Sequence, residues 1–286
     1  MGKLVLGTVQ FGLNYGVAND QGKPAFESVK QMLDLAYEQG IDELDTADAY
    51  GDSQEVLRSY SDQSSVQFQI MSKFIDDGTN TFLGFFNNSL KRLNRQSLKG
   101  YYFHRFEDYK KFQSFKEVEE LKAQKKLELF GVSLYSISEL REVVADSRID
   151  LIQLPFNALD NSHEKRELLA EAHRQGKKIY IRSAFLQGVL VMPEDKIPAH
   201  LTPLKKDLQS LKQIAADAGL SMQELCLGYL NSKKFIDGIL IGVDNVDQLK
   251  TNINLSKISL SKAVVDSVEL VIVQDQDLLN PAKWGK

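Results

Sequence analysis

The chain has 286 residues, 43% hydrophobic and 26% charged, with 35 basic against 39 acidic side chains and a formal net charge of -4. That balance excludes the basic footprint of a nucleic-acid or anionic-membrane binder, and the single cysteine, Cys226, excludes an intrachain disulfide framework. The opening MGKLVLGTVQFG lacks a signal-peptide core and no run reaches the roughly 18 apolar residues of a membrane span, so a cytoplasmic, reducing compartment is expected.

Short apolar or β-branched runs alternate with longer segments whose apolar residues recur three and four apart. A strand is predicted at 3–9, then a helix at 26–39, where Val29, Met32, Leu33 and Ala36 share a face and Gly40 stands at the stop position. The second strand, 41–45, leads to a helix at 53–61, and the third, 66–74, to a helix at 80–94. Strand 98–104 precedes a helix at 109–125, strand 127–133 one at 137–147, and strand 150–156 one at 163–175. Strand 177–185 is followed by a helix at 203–218, an extra helix at 221–231 that buries Cys226 as a small hydrophobe, and the last strand at 235–243. A further helix is predicted at 261–274.

Strict alternation implies parallel strands joined by right-handed crossovers, with helices covering the sheet. Eight such units in about 250 residues predict a closed (β/α)8 TIM barrel. No linker or low-complexity tract interrupts the pattern, so 1–286 is expected to form one domain.

Active sites of such barrels lie where strands turn polar at their C-terminal ends. Strand 2 ends in Asp45, with Tyr50 in the loop beyond; strand 3 reaches Lys73 in IMSKF; strand 4 ends in His104 in GYYFHRF. Consecutive strands are neighbours, so an acid, a phenol, an ammonium and an imidazole converge on one rim. A free phenol is too weak an acid for neutral pH, but an adjacent Lys73, kept charged by Asp45, is expected to lower the Tyr50 pKa and make it a general acid. His104 is then placed to donate a hydrogen bond to a carbonyl oxygen. Taken singly, Lys73 reads as a solvated strand-end lysine and His104 as a satisfied core histidine; it is the four together that point to proton chemistry.

LDTADAYGDSQEVL, followed at the expected intervals by SKF and FHRF, resembles the strand 2 signature and catalytic residues of the aldo/keto reductases. LGTVQFG, FGVS, IQLPFN and IGVDNVDQLKTNI resemble further family segments, so the likeness spans nearly the whole chain. The resemblance implies NAD(P)H-dependent interconversion of carbonyl and alcohol, no metal, and a tetrad of Asp45, Tyr50, Lys73 and His104 with Tyr50 as proton donor. It also implies that Gly7 and Thr8 form the opening turn, that Ser133 and Gln153 hold the nicotinamide carboxamide, and that Gln248 and Asn252 contact the adenine end. Phosphates in such barrels bind the loops after strands 7 and 8, here Ser183, Leu186 and Gly188, and Gly242, Val243 and Asp244. Asn245 with Gln248 also fits a helix capping box. RSAFLQGVL and LLNPAKW resemble bacterial members associated with surface-polysaccharide or nucleotide-sugar pathways.

Three departures from the family pattern matter. Asp244 and Asn245 stand where many relatives carry a base for the 2'-phosphate of NADPH, which favours NADH over NADPH. Leu134 replaces an asparagine after the strand 5 serine. Arg182 replaces an aromatic ring that stacks on the nicotinamide; its guanidinium suits either stacking or an anionic substrate. Tyr15, Phe74, Arg105, Phe156, Asn157 and Trp284 are candidate substrate contacts for a polar, sugar-like or anionic carbonyl compound, with packing the alternative for each aromatic. The chain is expected to be a monomer or small homo-oligomer. Two other readings stay open: a cofactor-sensing subunit without turnover, and a Schiff-base aldolase using Lys73.

Overall fold

The computed structural model describes residues 4–17, 19 and 21–284; Lys3, the first residue of the first predicted strand, falls outside them. Each apolar run forms a parallel strand: β1 (Leu4–Gly7), β2 (Glu43–Asp45), β3 (Gln69–Phe74), β4 (Leu98–Phe103), β5 (Leu127–Ser133), β6 (Leu151–Pro155), β7 (Lys178–Arg182) and β8 (Gly238–Ile241). They pair in sequence order and close β8 against β1, the (β/α)8 TIM barrel.

Helices cover the outside: α1 (Val9–Gly12), α2 (Phe26–Glu38), α3 (Ser53–Ser61), α4 (Phe82–Leu93), α5 (Phe106–Lys111), α6 (Phe115–Ala123), α7 (Ile137–Val144), α8 (His163–Arg174), α9 (Lys205–Asp217), α10 (Met222–Asn231), α11 (Val246–Leu255) and α12 (Lys262–Glu269). α10 is the extra helix before the last strand, and Cys226 is fully buried in it. The predicted helix 109–125 is corrected to two, α5 and α6. Phe112 leaves the helix with φ -70° and ψ 133° and inserts its ring among Phe82, Phe103, Phe115 and Phe130; burying that ring outweighs helix continuity. The predicted 261–274 stops at Glu269, because Leu270 and Ile272 are exposed and offer no face to pack. α9 begins at Lys205 rather than 203, after a 3-10 turn that contains Pro203, whose missing N–H suits it to the entry of the helix.

Strand side chains alternate between the two sides of a sheet. One set packs outward under the helices. The other fills the barrel interior with Val5, Met71, Tyr102, Leu151, Tyr180 and Leu240. The same alternation, carried two residues further, delivers Lys73, His104, Gln153 and Arg182 to the rim from β3, β4, β6 and β7.

Candidate active site

Asp45, Lys73, Ser133, Gln153 and Arg182 lie at or near the C-terminal ends of β2, β3, β5, β6 and β7, and His104 directly follows β4. Together with Tyr50 they line one cavity of about 780 Å³. The four residues expected to carry chemistry are therefore brought together.

The loop after β2 is shaped to present Tyr50. Thr46 Oγ1 lies 3.2 Å from Ser53 Oγ, which donates to the Thr8 carbonyl at 2.9 Å, while Asp48 Oδ1 accepts from Gln54 Nε2 at 2.7 Å and Ser89 Oγ at 2.8 Å. The backbone N–H of Asp48 donates to the Lys73 carbonyl at 2.9 Å, tying the loop to β3. Gly51, at φ +57°, adopts the left-handed conformation open to glycine, and a Cβ on Gly12 would overlap the Tyr50 carbonyl oxygen. The acid and hydroxyl residues around Tyr50 are thus a scaffold whose desolvation is offset by mutual hydrogen bonds.

Lys73 is 1% exposed and donates to Asp45 Oδ1 and, at 3.0 Å, to the Thr46 carbonyl. Burial pulls its pKa down, and the Asp45 carboxylate works in the opposite direction. A Schiff-base nucleophile wants an unpaired, accessible amine, and this ion-paired, buried lysine argues against that reading. The Lys73 Nζ sits 4.7 Å from the centre of the Tyr50 ring, and His104 meets the same ring edge-on at 5.7 Å.

The expected lowering of the Tyr50 pKa is corrected by the structure: burial first, then the Asp45 charge, push the phenol upward. Asp45 neutralises much of the ammonium's field and itself repels a phenolate, so in this state Tyr50 stays protonated at neutral pH. His104 is pushed down to about 3 by burial and by Lys73, Arg182 and Arg105, and is therefore neutral, able to hydrogen-bond without carrying charge.

That last shift predicts an acid-sensitive fold. A histidine whose folded pKa lies below its unfolded value of 6.5 loses stability as pH falls, because only the unfolded chain takes up the proton. Between pH 7 and pH 5 this group is expected to cost about 2 kcal/mol. Urea denaturation at the two pH values should show His104→Asn losing correspondingly less stability than the wild type; equal losses would refute the assignment.

Of the expected cofactor residues, Gly7, Thr8, Ser133, Gln153, Arg182, Ser183, Gly188, Gly242, Asp244, Gln248 and Asn252 line the cavity. Leu186 and Val243 do not, and are corrected to core residues with fully buried apolar side chains. The loop after β7 holds Ser183, Leu186 and Gln187 at φ +60°, +48° and +52°, a cluster of left-handed non-glycine residues of the kind that gathers at ligand sites. Asn245 caps α11 by accepting from the Gln248 N–H at 2.9 Å, but Gln248 Oε1 reaches back to the Asp244 N–H at 2.8 Å rather than to Asn245.

The cavity's chemistry fits a nicotinamide dinucleotide. Gln10 Oε1, Gln153 Oε1 and His104 Nδ1 are buried without a hydrogen-bond partner although all three residues line the cavity. Orphaned buried acceptors of this kind call for an incoming donor such as a carboxamide. At the other end the lining includes Asp244, Asn245, Asp247, Gln248, Thr251 and Asn252 and no lysine or arginine; Lys250, outside the lining, pairs with Asp247 at 3.6 Å.

Among the proposed substrate contacts, Tyr15 alone lines the cavity, its hydroxyl accepting from Gln187 Nε2 at 3.2 Å. Phe74 stacks on Tyr101 at 4.8 Å and Phe156 on Tyr229 at 6.1 Å, both on the outer, packed side of their strands. Asn157 bonds the Ser183 carbonyl and the backbone of Leu159 and Asp160, Arg105 pairs with Asp108 at 3.0 Å, and Trp284 donates to the Leu278 carbonyl. These five are packing and scaffold residues. Sequence reasoning missed Gln10 and Tyr135; the Arg182 guanidinium lies 4.1 Å from the Tyr135 ring centre and donates to the Leu134 carbonyl at 3.1 Å.

A sequence profile of the aldo/keto reductase family matches residues 3–272. The chain is similar to the uncharacterized oxidoreductase YqkF of Bacillus subtilis (strain 168), 25% identical over 252 residues that cover 78% of this chain and 80% of the relative. Its fold is similar to that of the aldo-keto reductase AKR11C1 from Bacillus halodurans in holo form, with a TM-score of 0.76, 17% identity and 96% and 94% of the two chains covered. It is likewise similar to the thermostable aldo-keto reductase Tm1743 in complex with the inhibitor epalrestat, with a TM-score of 0.71, 21% identity and 95% of each chain covered. Among the described residues no helix is long and apolar enough to cross a membrane. The profile match over nearly the whole length, on a closed parallel barrel with its polar residues gathered at one rim, establishes that this chain belongs to the aldo/keto reductase family of nicotinamide-dependent oxidoreductases.

Proposed function

We propose that the protein reduces the carbonyl group of a small polar molecule with NADH, using Tyr50 as proton donor. The observation that carries this reading is the convergence of Asp45, Tyr50, Lys73 and His104 on one cavity. When bound there, the nicotinamide supplies a hydride to the carbonyl carbon. The carbonyl oxygen then gathers negative charge. His104, neutral and cavity-lining, hydrogen-bonds that oxygen and orients it. Tyr50, kept protonated by burial, transfers its proton to the oxygen as its basicity rises towards that of an alkoxide, and the Lys73 ammonium beside the ring stabilises the phenolate left behind. The reverse direction uses the same groups in the opposite order.

Residues Gln153 and Ser133 would hold the carboxamide, and the Asp244 end of the cavity the adenosine ribose. Asp244 and Asp247 line that end and no lysine or arginine does, Lys250 lying outside the lining and pairing with Asp247 at 3.6 Å; the Asp244 carboxylate supports repulsion of a 2'-phosphate and acceptance of a hydrogen bond from a free hydroxyl. At the other end Arg182 has no carboxylate ion-pair partner among the described residues and lines the same cavity as Tyr50 and His104. That supports a substrate with an anionic or richly hydroxylated group, sugar-like compounds included.

Titration of the protein with NADH and with NADPH, followed by assays of NADH oxidation with a panel of sugar-like and carboxylated carbonyl compounds, tests the reading. NADH is expected to bind at least tenfold more tightly, and Asp244→Ser to narrow the gap by weakening NADH and relieving NADPH. Tighter NADPH binding by the wild type would overturn the cofactor assignment, and no binding of either would overturn the reductase reading of this cavity.

A further inference from the structure

Tyr102 takes no part in the mechanism above, yet it sits at its centre. It lies on β4 two residues before His104, is the register partner of Lys73, and is fully buried in the barrel interior beneath the cavity rather than in its wall. Its hydroxyl donates to Asp45 Oδ2, and Gln153 Nε2 reaches both Asp45 Oδ2, at 3.0 Å, and the Tyr102 oxygen, at 2.6 Å. The two oxygens of Asp45 are thus divided: Oδ1 serves Lys73, and Oδ2 receives a phenol and an amide. The Lys73 Nζ lies between two tyrosine rings, 4.7 Å from the centre of Tyr50 and 5.2 Å from that of Tyr102.

A buried ammonium and carboxylate can shed their desolvation cost by moving one proton from nitrogen to oxygen, which leaves a neutral amine and a neutral acid. Donors on the carboxylate's far oxygen oppose that transfer, because they stabilise the ionised acid specifically. We propose that Tyr102 is a positioning residue that, with Gln153, holds Asp45 ionised and aimed at Lys73, and so keeps a full positive charge beside Tyr50. The proposal rests on the reading of Tyr50 as proton donor. It also makes Gln153 a link between the cavity wall and the ion pair, since its amide nitrogen is committed to Asp45 and Tyr102 while its Oε1 is left without a partner.

The groups that bear on this cluster come from every neighbouring strand. Tyr102 faces Asp45 from β2, Lys73 from β3, Tyr50 from the loop after β2, and Tyr180 from β7; Lys73 is further influenced by Arg182 from β7 and Tyr135 from the loop after β5, and His104 feels Lys73 from β4. No described carboxylate other than Asp45 pairs with Lys73, so the donors on Asp45 are the natural control over its charge.

The test is Tyr102→Phe, which removes one hydroxyl and keeps the ring. Its turnover is followed from pH 5 to pH 10 with NADH and a carbonyl compound reduced by the wild type. In parallel, the charge of Lys73 is read at pH 7 by NMR of protein labelled with 13C at the lysine ε-carbon, the resonance being assigned by its absence in Lys73→Met. The expected result is a fall in kcat of about tenfold or more, a downward shift of the alkaline limb of the kcat profile by about one pH unit as Lys73 gives up its proton more easily, NADH affinity within about threefold of wild type, and a Lys73 resonance displaced towards the neutral amine. A purely structural role would lower stability and leave the limb and the resonance in place, and that outcome overturns the proposal. So does a wild-type Lys73 that is already neutral at pH 7. The NMR reading needs no turnover, so it separates failure of this inference from failure of the Tyr50 assignment. If Tyr102→Phe does not fold, Tyr102→Met, smaller but flexible and equally without a strong donor, carries the same comparison.

Discussion

Replacing Tyr50 by phenylalanine is expected to reduce kcat for carbonyl reduction by about 10²–10⁴-fold, the range lost with a positioned general acid. NADH affinity should stay within about threefold, because the phenol's hydroxyl contributes to the transition state and little to ground-state cofactor binding. The aromatic ring keeps its edge contact with His104 and its place against Lys73, so the variant removes an acid and not a wall. Stopped-flow single-turnover measurements with saturating NADH separate the chemical step from product release. A variant that retained most of its single-turnover rate would place the proton donor elsewhere, and His104 would be the next candidate.

The second large effect is expected at Lys73. Lys73→Met should abolish turnover and also destabilise the fold by about 3–5 kcal/mol, because Asp45, 1% exposed, would be left as an unpaired buried carboxylate. For a chain of this size that corresponds to a fall in Tm on the order of 10 °C. The double variant Asp45→Asn/Lys73→Met is expected to recover most of the lost stability while remaining inactive, since it removes both buried charges together. Calorimetry on the wild type, the Lys73→Met protein, the Asp45→Asn protein and the double variant closes the cycle. Additive losses would show that the two residues are not energetically coupled, contrary to their ion pair.

The second prediction joins stability to function through Asp45 and Lys73. The barrel interior below them is apolar, filled by Val5, Met71, Leu151 and Leu240, and a charge pair above such a layer persists only when each partner is compensated. Asp45 receives donors on both oxygens, and Lys73 donates to a carboxylate and a carbonyl. The site is therefore preorganised by the same hydrogen bonds that make its burial tolerable.

What the sequence by itself determined is everything local and periodic. Eight apolar runs separated by amphipathic segments fix the alternation of strand and helix, and that alternation dictates a parallel, closed barrel. The polar residue at the end of each run then marks the rim, which is why Asp45, Lys73 and His104 were legible as one site before any coordinates. Tyr102 was legible in principle, since period two puts it on the face of His104, but an aromatic in an apolar run reads as core until its hydroxyl is seen on Asp45. Only the tertiary structure decided what depends on several strands at once: that the phenol of Tyr50 is pushed up rather than down, that Phe74 and Phe156 face the packed side, that Leu186 and Val243 belong to the core, and that Phe112 interrupts a helix to fill an aromatic cluster. The physical reason is common to all of them. Periodicity is a property of neighbours along the chain, whereas desolvation, charge compensation and packing are properties of neighbours in space, contributed here by strands far apart in sequence.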